Sequence, residues 1–154
     1  MQVILHNIRS IHNVGSMFRT ADGLGVKKLY LTGYTPKPVD RFGRKRKKFS
    51  KVALGAEDTV DWESEENILD LINKKAAEDT TVCACEPTDS AVPIGEVTTK
   101  KQNICLVFGN EVDGLPNKVI KASDQTIKIP MQGIKSSLNV AVAFGIISFC
   151  VVDK

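Results

Sequence analysis

Three polar groupings stand out along the 154-residue chain: Asn13 with Arg19, the run from Gly109 to Gly114 with Glu111 inside it, and Ser137 with Asn139. By residue type they offer two amides, a hydroxyl, a carboxylate and a guanidinium. A planar guanidinium can hold a phosphate and a hydroxyl together, and amides and carboxylates can fix the orientation of a polar substrate. Taken singly, each has a plainer reading: Asn13 and Ser137 as helix caps, Glu111 as a surface acid, Arg19 as a solvated helix residue. What sets them apart is their joint occurrence after strands, where α/β domains carry their chemistry.

Several other chemistries find no support. Gly109 and Gly114 have the spacing of a phosphate-binding loop, but Leu115 and Pro116 follow where that loop needs Lys and Ser or Thr. Gly23 and Gly25 lack the third glycine of a dinucleotide fingerprint and end a helix instead of opening one. His6 and His12 have no Cys or carboxylate companion at metal-ligand spacing, so no metal is expected. No serine sits in a G-x-S-x-G elbow, which leaves little material for a hydrolytic triad. The four cysteines, Cys83, Cys85, Cys105 and Cys150, are too few for a disulfide framework in a chain this long and are expected as buried, reduced thiols.

Charge is concentrated in one place. Arg41, Arg44, Lys45, Arg46, Lys47, Lys48 and Lys51 put seven cations into eleven residues without an acid. The rest of the chain then has fewer cations than its 18 acids, so this segment is a local device and not a consequence of general composition. An anionic polymer is its natural partner. Phe42 and Phe49 flank it, and aromatics beside cations suit stacking on unpaired bases while the cations meet phosphates. Pro36, Pro38 and Gly43 predict a mobile loop over this stretch, and the plain alternative is a solvated loop serving solubility.

The elements that must carry these groups follow from hydrophobic spacing. Val3 to Leu5 reads as a strand, and Val14, Met17, Phe18, Ala21 and Leu24 recur at helical spacing until Gly25. Lys28–Thr32 is a second strand, Ser64 is expected to cap a helix bearing Ile68, Leu69, Leu71 and Ile72, and Thr81–Cys85 is a third strand. Ile104–Phe108 is a continuous apolar run suited to a strand buried on both faces. Pro116 opens a short helix to about Ala122, Thr126–Ile129 is one more strand, and a last helix runs from Ser136 or Ser137 to Val151. Strands alternating with helices give an α/β fold with a mostly parallel sheet and helices on both faces. The last helix has almost no polar face, so a second face is expected to pack on another subunit.

With 42% hydrophobic and 25% charged residues and a net charge of +3, the composition is that of a globular protein. No run reaches the roughly 20 apolar residues that span a bilayer, and Met1–Ile8 lacks the pattern of a signal peptide, so a single domain over residues 1–154, cytoplasmic and without a membrane anchor, is expected.

Asn13-Val-Gly-Ser-Met-Phe-Arg19, Phe108-Gly-Asn-Glu111-Val-Asp-Gly114-Leu-Pro116 and Ile129-Pro-Met-Gln-Gly-Ile-Lys-Ser-Ser137-Leu-Asn139-Val resemble, in order, motifs one, two and three of the SpoU/TrmH RNA methyltransferases. Ala53-Leu-Gly-Ala-Glu57 also resembles that family. The resemblance implies an α/β domain whose C-terminal segment forms a trefoil knot, and a homodimer built partly on the final helix. It implies S-adenosylmethionine as cofactor, held near Gly109, Ile129, Met131 and Leu138, with Cys85 and Glu86 bordering the pocket. Arg19, Asn13, Glu111, Ser137 and Asn139 would then form the catalytic group around the ribose of a transfer or ribosomal RNA, with Arg19 acting as base or as phosphate anchor. The basic segment from Arg41 to Lys51 would be the RNA contact. Base methylation on the same fold and a non-catalytic RNA-binding module remain alternatives.

Overall fold

The structure, a computed structural model, describes residues 1–98 and 103–152. In chain order its elements are β1 (Gln2–His6), α1 (Ile11–Gly23), β2 (Lys28–Thr32), α2 (Lys47–Ala53), α3 (Ala56–Thr59), β3 (Trp62–Glu65), α4 (Ile68–Ala77), β4 (Thr80–Cys85), β5 (Val92–Pro93), β6 (Asn103–Phe108), α5 (Asn117–Ala122), β7 (Gln125–Lys128) and α6 (Val140–Val152). The strands form one parallel sheet in the order β3-β2-β1-β6-β4-β7-β5.

The apolar runs behave as strands covered on both sides. In β1, Val3 and Leu5 face a cluster with Met17 and Phe18 of α1, Phe49 of α2 and Phe144 of α6, while Ile4 between them faces Leu71 and Ile72 of α4 and Val119 of α5. Val3 pairs with Leu29 of β2 and Leu106 of β6, which fixes the register of the three central strands. The chain leaves β1 through α1 on one face and leaves β6 through α5 on the other. Neighbouring strands that exit to opposite faces open a crevice at their carboxyl ends, the usual place for a ligand in such sheets. Among the described residues no helix is long and apolar enough to cross a membrane.

Four expectations need correction. The helix expected from Ser64 begins at Ile68, because Asn67 accepts from Leu69 N at 3.0 Å as its cap and the residues before it pair with β2 as strand β3. The last helix begins at Val140, since the Asn139 side chain takes the N–H of Ala141 at 2.9 Å and leaves the two serines in the preceding loop. Cys85 and Cys150 are only half-buried, whereas Cys83 and Cys105 are in the core. The basic stretch is not a loose loop: Val39 and Lys45 bridge as a small antiparallel hairpin around Gly43, and α2 follows directly.

The hairpin and α2 also separate the two phenylalanines. Phe49 is fully buried, edge-on to Phe18 with ring centroids 5.1 Å apart, so it holds α2 to α1 and has no surface for RNA. Phe42 is exposed. Phe49→Ala is therefore expected to cost about 3–5 kcal/mol in chemical denaturation, as truncations of buried aromatic side chains do, while Phe42→Ala stays within about 0.5 kcal/mol of wild type.

Candidate active site

The three polar groupings meet at the crevice. Glu111, in the loop after β6, accepts from the backbone N–H groups of Arg9 at 2.8 Å and Ser10 at 3.2 Å, just before α1, and from Asn13 Nδ2 at 2.9 Å. Asn13 Oδ1 in turn accepts from Asn139 Nδ2 at 3.3 Å, and Asn139 Oδ1 caps α6. One relay of side chains thus ties the start of α1, the loop after β6 and the start of α6. Partial burial pushes the Glu111 carboxyl up, but the Arg9 N–H, the Asn13 amide and the Ser10 N–H outweigh it and hold it below the ordinary carboxylate range. The cap of α1 is Ser10, whose hydroxyl accepts from Asn13 N, so the Asn13 side chain is left for the relay.

A second set of polar groups, which the sequence reading did not single out, supports this one from below. Asn110 is buried; its Nδ2 donates to Asn7 O at 3.0 Å and to the Tyr34 hydroxyl, and its Oδ1 accepts from Val112 N and Asp113 N. Asn7, with φ of +56°, accepts from Tyr34 N through Oδ1 and donates to His6 Nε2 at 3.1 Å. His6 therefore carries its proton on Nδ1, which reaches Thr32 Oγ1 at 2.8 Å; burial, then the charge of Lys118, lowers its pKa and favours this neutral form. The legible signal was Asn after a strand, the residue other than glycine that best tolerates a left-handed conformation.

Beside the relay lies a cleft of about 280 Å³, near the lower end of the roughly 300–1,000 Å³ typical of ligand pockets. Cys85 at the end of β4 with Glu86 after it, Gly109 and Glu111 after β6, Ile129 and Met131 after β7, and Ser137 and Leu138 before α6 all line it. All four expected cofactor contacts are thus together, and so are Glu111 and Ser137. Glycine at 109 has a reason within the loop itself: a Cβ there would come within 2.7–2.8 Å of Gly114 and Leu115, so the turn excludes a side chain. Glu86 stabilises the same turn, accepting from Leu115 N at 3.0 Å, and burial outweighs that bond to raise its pKa.

Arg19 is not in the cleft. It is exposed, six residues beyond Asn13 and so on a different side of α1, and makes no hydrogen bond or ion pair among the described residues. Its neighbour Thr20 faces Gly145 of α6, with Thr20 Cγ2 3.8 Å from where a Cβ would stand. Burial pushes the Cys85 thiol well above its usual range, and pushes Cys83 up to about 11 and Cys105 up to about 12, which leaves no thiolate nucleophile at neutral pH among these three.

Because the folded-state pKa of Glu111 is depressed, its contribution to stability is complete above the ordinary glutamate pKa and is lost as pH falls through the folded value. Glu111→Gln is thus expected to lower the melting temperature at neutral pH, with the gap from wild type closing as the solution is acidified. Thermal unfolding followed across that range checks it.

Residues 1–149 match the SpoU rRNA Methylase family. The tRNA (guanosine(18)-2'-O)-methyltransferase of Aquifex aeolicus (strain VF5) is 31% identical over 147 residues, covering 96% of this chain and 66% of that protein. An AdoMet-bound rRNA methyltransferase from Sinorhizobium meliloti aligns with a TM-score of 0.86 at 28% identity, over 97% of this chain and 54% of that one. A structure solved to explain 2-OH methylation of C/U34 on tRNA aligns with a TM-score of 0.79 at 27% identity, over 96% and 91% of the two chains. The chain spans 61% to 66% of the length of tRNA-modifying curated relatives it matches. The match runs through all three motif segments that the fold gathers at one crevice, and the chain belongs to the SpoU rRNA Methylase family.

Proposed function

We propose that this chain is an S-adenosylmethionine-dependent methyltransferase acting on a ribose 2′-hydroxyl of transfer or ribosomal RNA, as a single domain over residues 1–154 in the cytoplasm. The observation that carries the reading is the relay from Glu111 through Asn13 to Asn139 at the edge of the cleft. Family membership and the likeness to an AdoMet-bound rRNA methyltransferase support it.

The cleft fits S-adenosylmethionine by its chemistry. Ile129, Met131 and Leu138 offer apolar cover for an adenine, and Glu86 and Glu111 put two carboxylates near a ligand that carries ammonium and sulfonium charge. When bound, the cofactor supplies an electrophilic methyl group on a positively charged sulfur. The chain's part is to hold the ribose in line with it: Ser137 and the Asn13–Asn139 amides offer donors and acceptors on one side, fixed by Glu111, and positioning of this kind supplies much of the acceleration. A guanidinium has only donors, so we read Arg19 as an anchor for a phosphate of the RNA where it passes the outer side of α1, with the proton of the 2′-hydroxyl leaving to a substrate phosphate or to solvent as the methyl–oxygen bond forms.

We place a second copy of the chain on α6. Phe144 and Ile147 are buried in the protomer's own core, but Val142, Ile146, Phe149 and Val152 stand 39–57% exposed along one side of the helix. Thr20, next to Arg19 in α1, approaches Gly145, so the helix that carries the arginine packs against α6. We further read the segment from Ile129 into α6 as closing a trefoil knot, a reading supported by α6 packing against both β6 and the Ile94–Glu96 turn.

The test is incubation with radiolabelled S-adenosylmethionine and unmodified transfer or ribosomal RNA, followed by nucleoside analysis. A labelled 2′-O-methylnucleoside is expected; a methylated base overturns the assignment of the accepting atom. Arg19→Lys is expected to lose most turnover and keep cofactor affinity by calorimetry, because it loses the planar fork but lies outside the cleft. Reversing Lys47 and Lys48 to Glu should weaken RNA binding and flatten its salt dependence by about 0.7 in the log–log slope for each single-strand phosphate no longer neutralised, with cofactor affinity unchanged.

A further inference from the structure

The hairpin before α2 has a shape that a solubility loop does not require. Asp40 N donates to Arg44 O at 2.9 Å and Gly43 N to Asp40 O at 3.0 Å, and Gly43 has φ of +76°, the pattern of a three-residue hairpin loop made of Arg41, Phe42 and Gly43. Asp40 Oδ1 also accepts from Phe42 N at 2.8 Å and Arg44 N at 3.0 Å, while Oδ2 holds the Arg44 guanidinium at 2.8 Å. Those bonds, with Arg46 as a further influence, lower the Asp40 pKa and keep it charged. The tip is therefore held in one conformation, and what it presents is Phe42, 65% exposed, with the guanidinium of Arg41 4.7 Å and that of Arg44 5.0 Å from the ring centroid.

With two guanidiniums over it the ring is still mostly exposed, and the surrounding charge indicates what would suit it. Arg44 and Lys45 are paired with Asp40 and Asp58, but Arg41, Arg46, Lys47, Lys48 and Lys51 have no acidic partner among the described residues. A π face beside unneutralised cations matches a nucleobase joined to phosphates, and it matches an unpaired one, because a paired base has both faces occupied by its neighbours in the stack. The position is suitable too: α2 packs on α1 where Gly15 meets Val52, two residues beyond Asn13 of the crevice.

We propose that Phe42 is a stacking platform for an unpaired base of the RNA, so that the substrate is taken as a loop or single strand and not as a duplex. The proposal rests on the RNA reading above and assigns to Phe42 a contact separate from the phosphate contacts of the cations. The base takes the place of the Arg41 guanidinium, which lies over the ring and has no ion-pair partner among the described residues, while Arg44 stays with Asp40; no covalent step is involved.

The test compares binding of a fluorescently labelled unstructured RNA, the same RNA annealed to its complement, and the same RNA with abasic nucleotides, by anisotropy at fixed salt. Wild type is expected to prefer the unstructured RNA. Phe42→Ala and Phe42→Leu should lose about tenfold or more on it, Phe42→Trp should keep its affinity, and none should change binding to the duplex. Abasic RNA should bind wild type as weakly as intact RNA binds Phe42→Ala, with no further loss when the two are combined. If Phe42→Ala binds unstructured RNA like wild type while charge reversal at Lys47 and Lys48 abolishes binding, the stacking platform is refuted and the RNA reading stands. If wild type binds none of the three RNAs at any salt, the RNA reading itself fails and the platform with it.

Discussion

The crevice depends on one carboxylate. Glu111 belongs to the loop after β6, yet its oxygens are satisfied by the backbone entering α1 and by Asn13, so the two loops at the point where the sheet's connections diverge cannot move independently. Asn139 extends the link to the start of α6, where the same side chain is also the helix cap. Three segments distant in sequence are thereby fixed by the side chains of Glu111, Asn13 and Asn139 and the backbone amides of Arg9 and Ser10. A charged acceptor suits this role better than a neutral one because each N–H···carboxylate bond is stronger than its neutral counterpart.

That carboxylate can be so placed because the layer beneath is rigid. The buried Asn110 closes the turn that carries Glu111 and joins it to Asn7 and Tyr34, and these connect through His6 and Thr32 back to the ends of β1 and β2. Gly33 and Gly114 sit at positive φ against the side-chain ends of Asn7 and Glu86, so the close approach of the loops depends on glycines as well as on hydrogen bonds. A network of this kind is sensitive to any member that fails to find its partner, since an unsatisfied buried group is costly in a low dielectric. The satisfaction of its members is what allows polar side chains to line a cleft without collapsing it.

The parts of this arrangement visible in the sequence are those that local physics determines. Continuous apolar runs such as Ile104–Phe108 became strands buried on both faces, and the 3.6-residue spacing from Val14 to Ala21 became the buried face of α1. Strand β3 was missed because Trp62-Glu-Ser-Glu lies at a sheet edge, half in water, and has neither an apolar run nor a clean alternation. Phe49 looked like a surface aromatic because its neighbours in sequence are mostly cations, whereas its burial is decided by Phe18, thirty-one positions away. The same limit applies to the site: the motif residues could be named from the chain, but that Glu111 and Asn13 are bonded partners is a matter of how β1 and β6 lie side by side, whereas the turn of Arg19 away from Asn13 follows from the pitch of α1.

The position of the basic segment follows from the same packing. Exposed ion pairs such as Arg44 with Asp40 and Lys45 with Asp58 contribute little to stability because water and salt screen them, and what they do here is hold geometry. Two of the seven cations hold the hairpin in shape, and the remaining five keep their charge free of acidic partners among the described residues. Because Phe49 locks α2 onto α1, that charge is carried on the outer side of the helix whose first turn supplies Asn13. A polyanion drawn to the cations therefore arrives on the element that also shapes the crevice, and the aromatic contact that attaches α2 to the core is what makes a surface charge pattern relevant to the chemistry behind it.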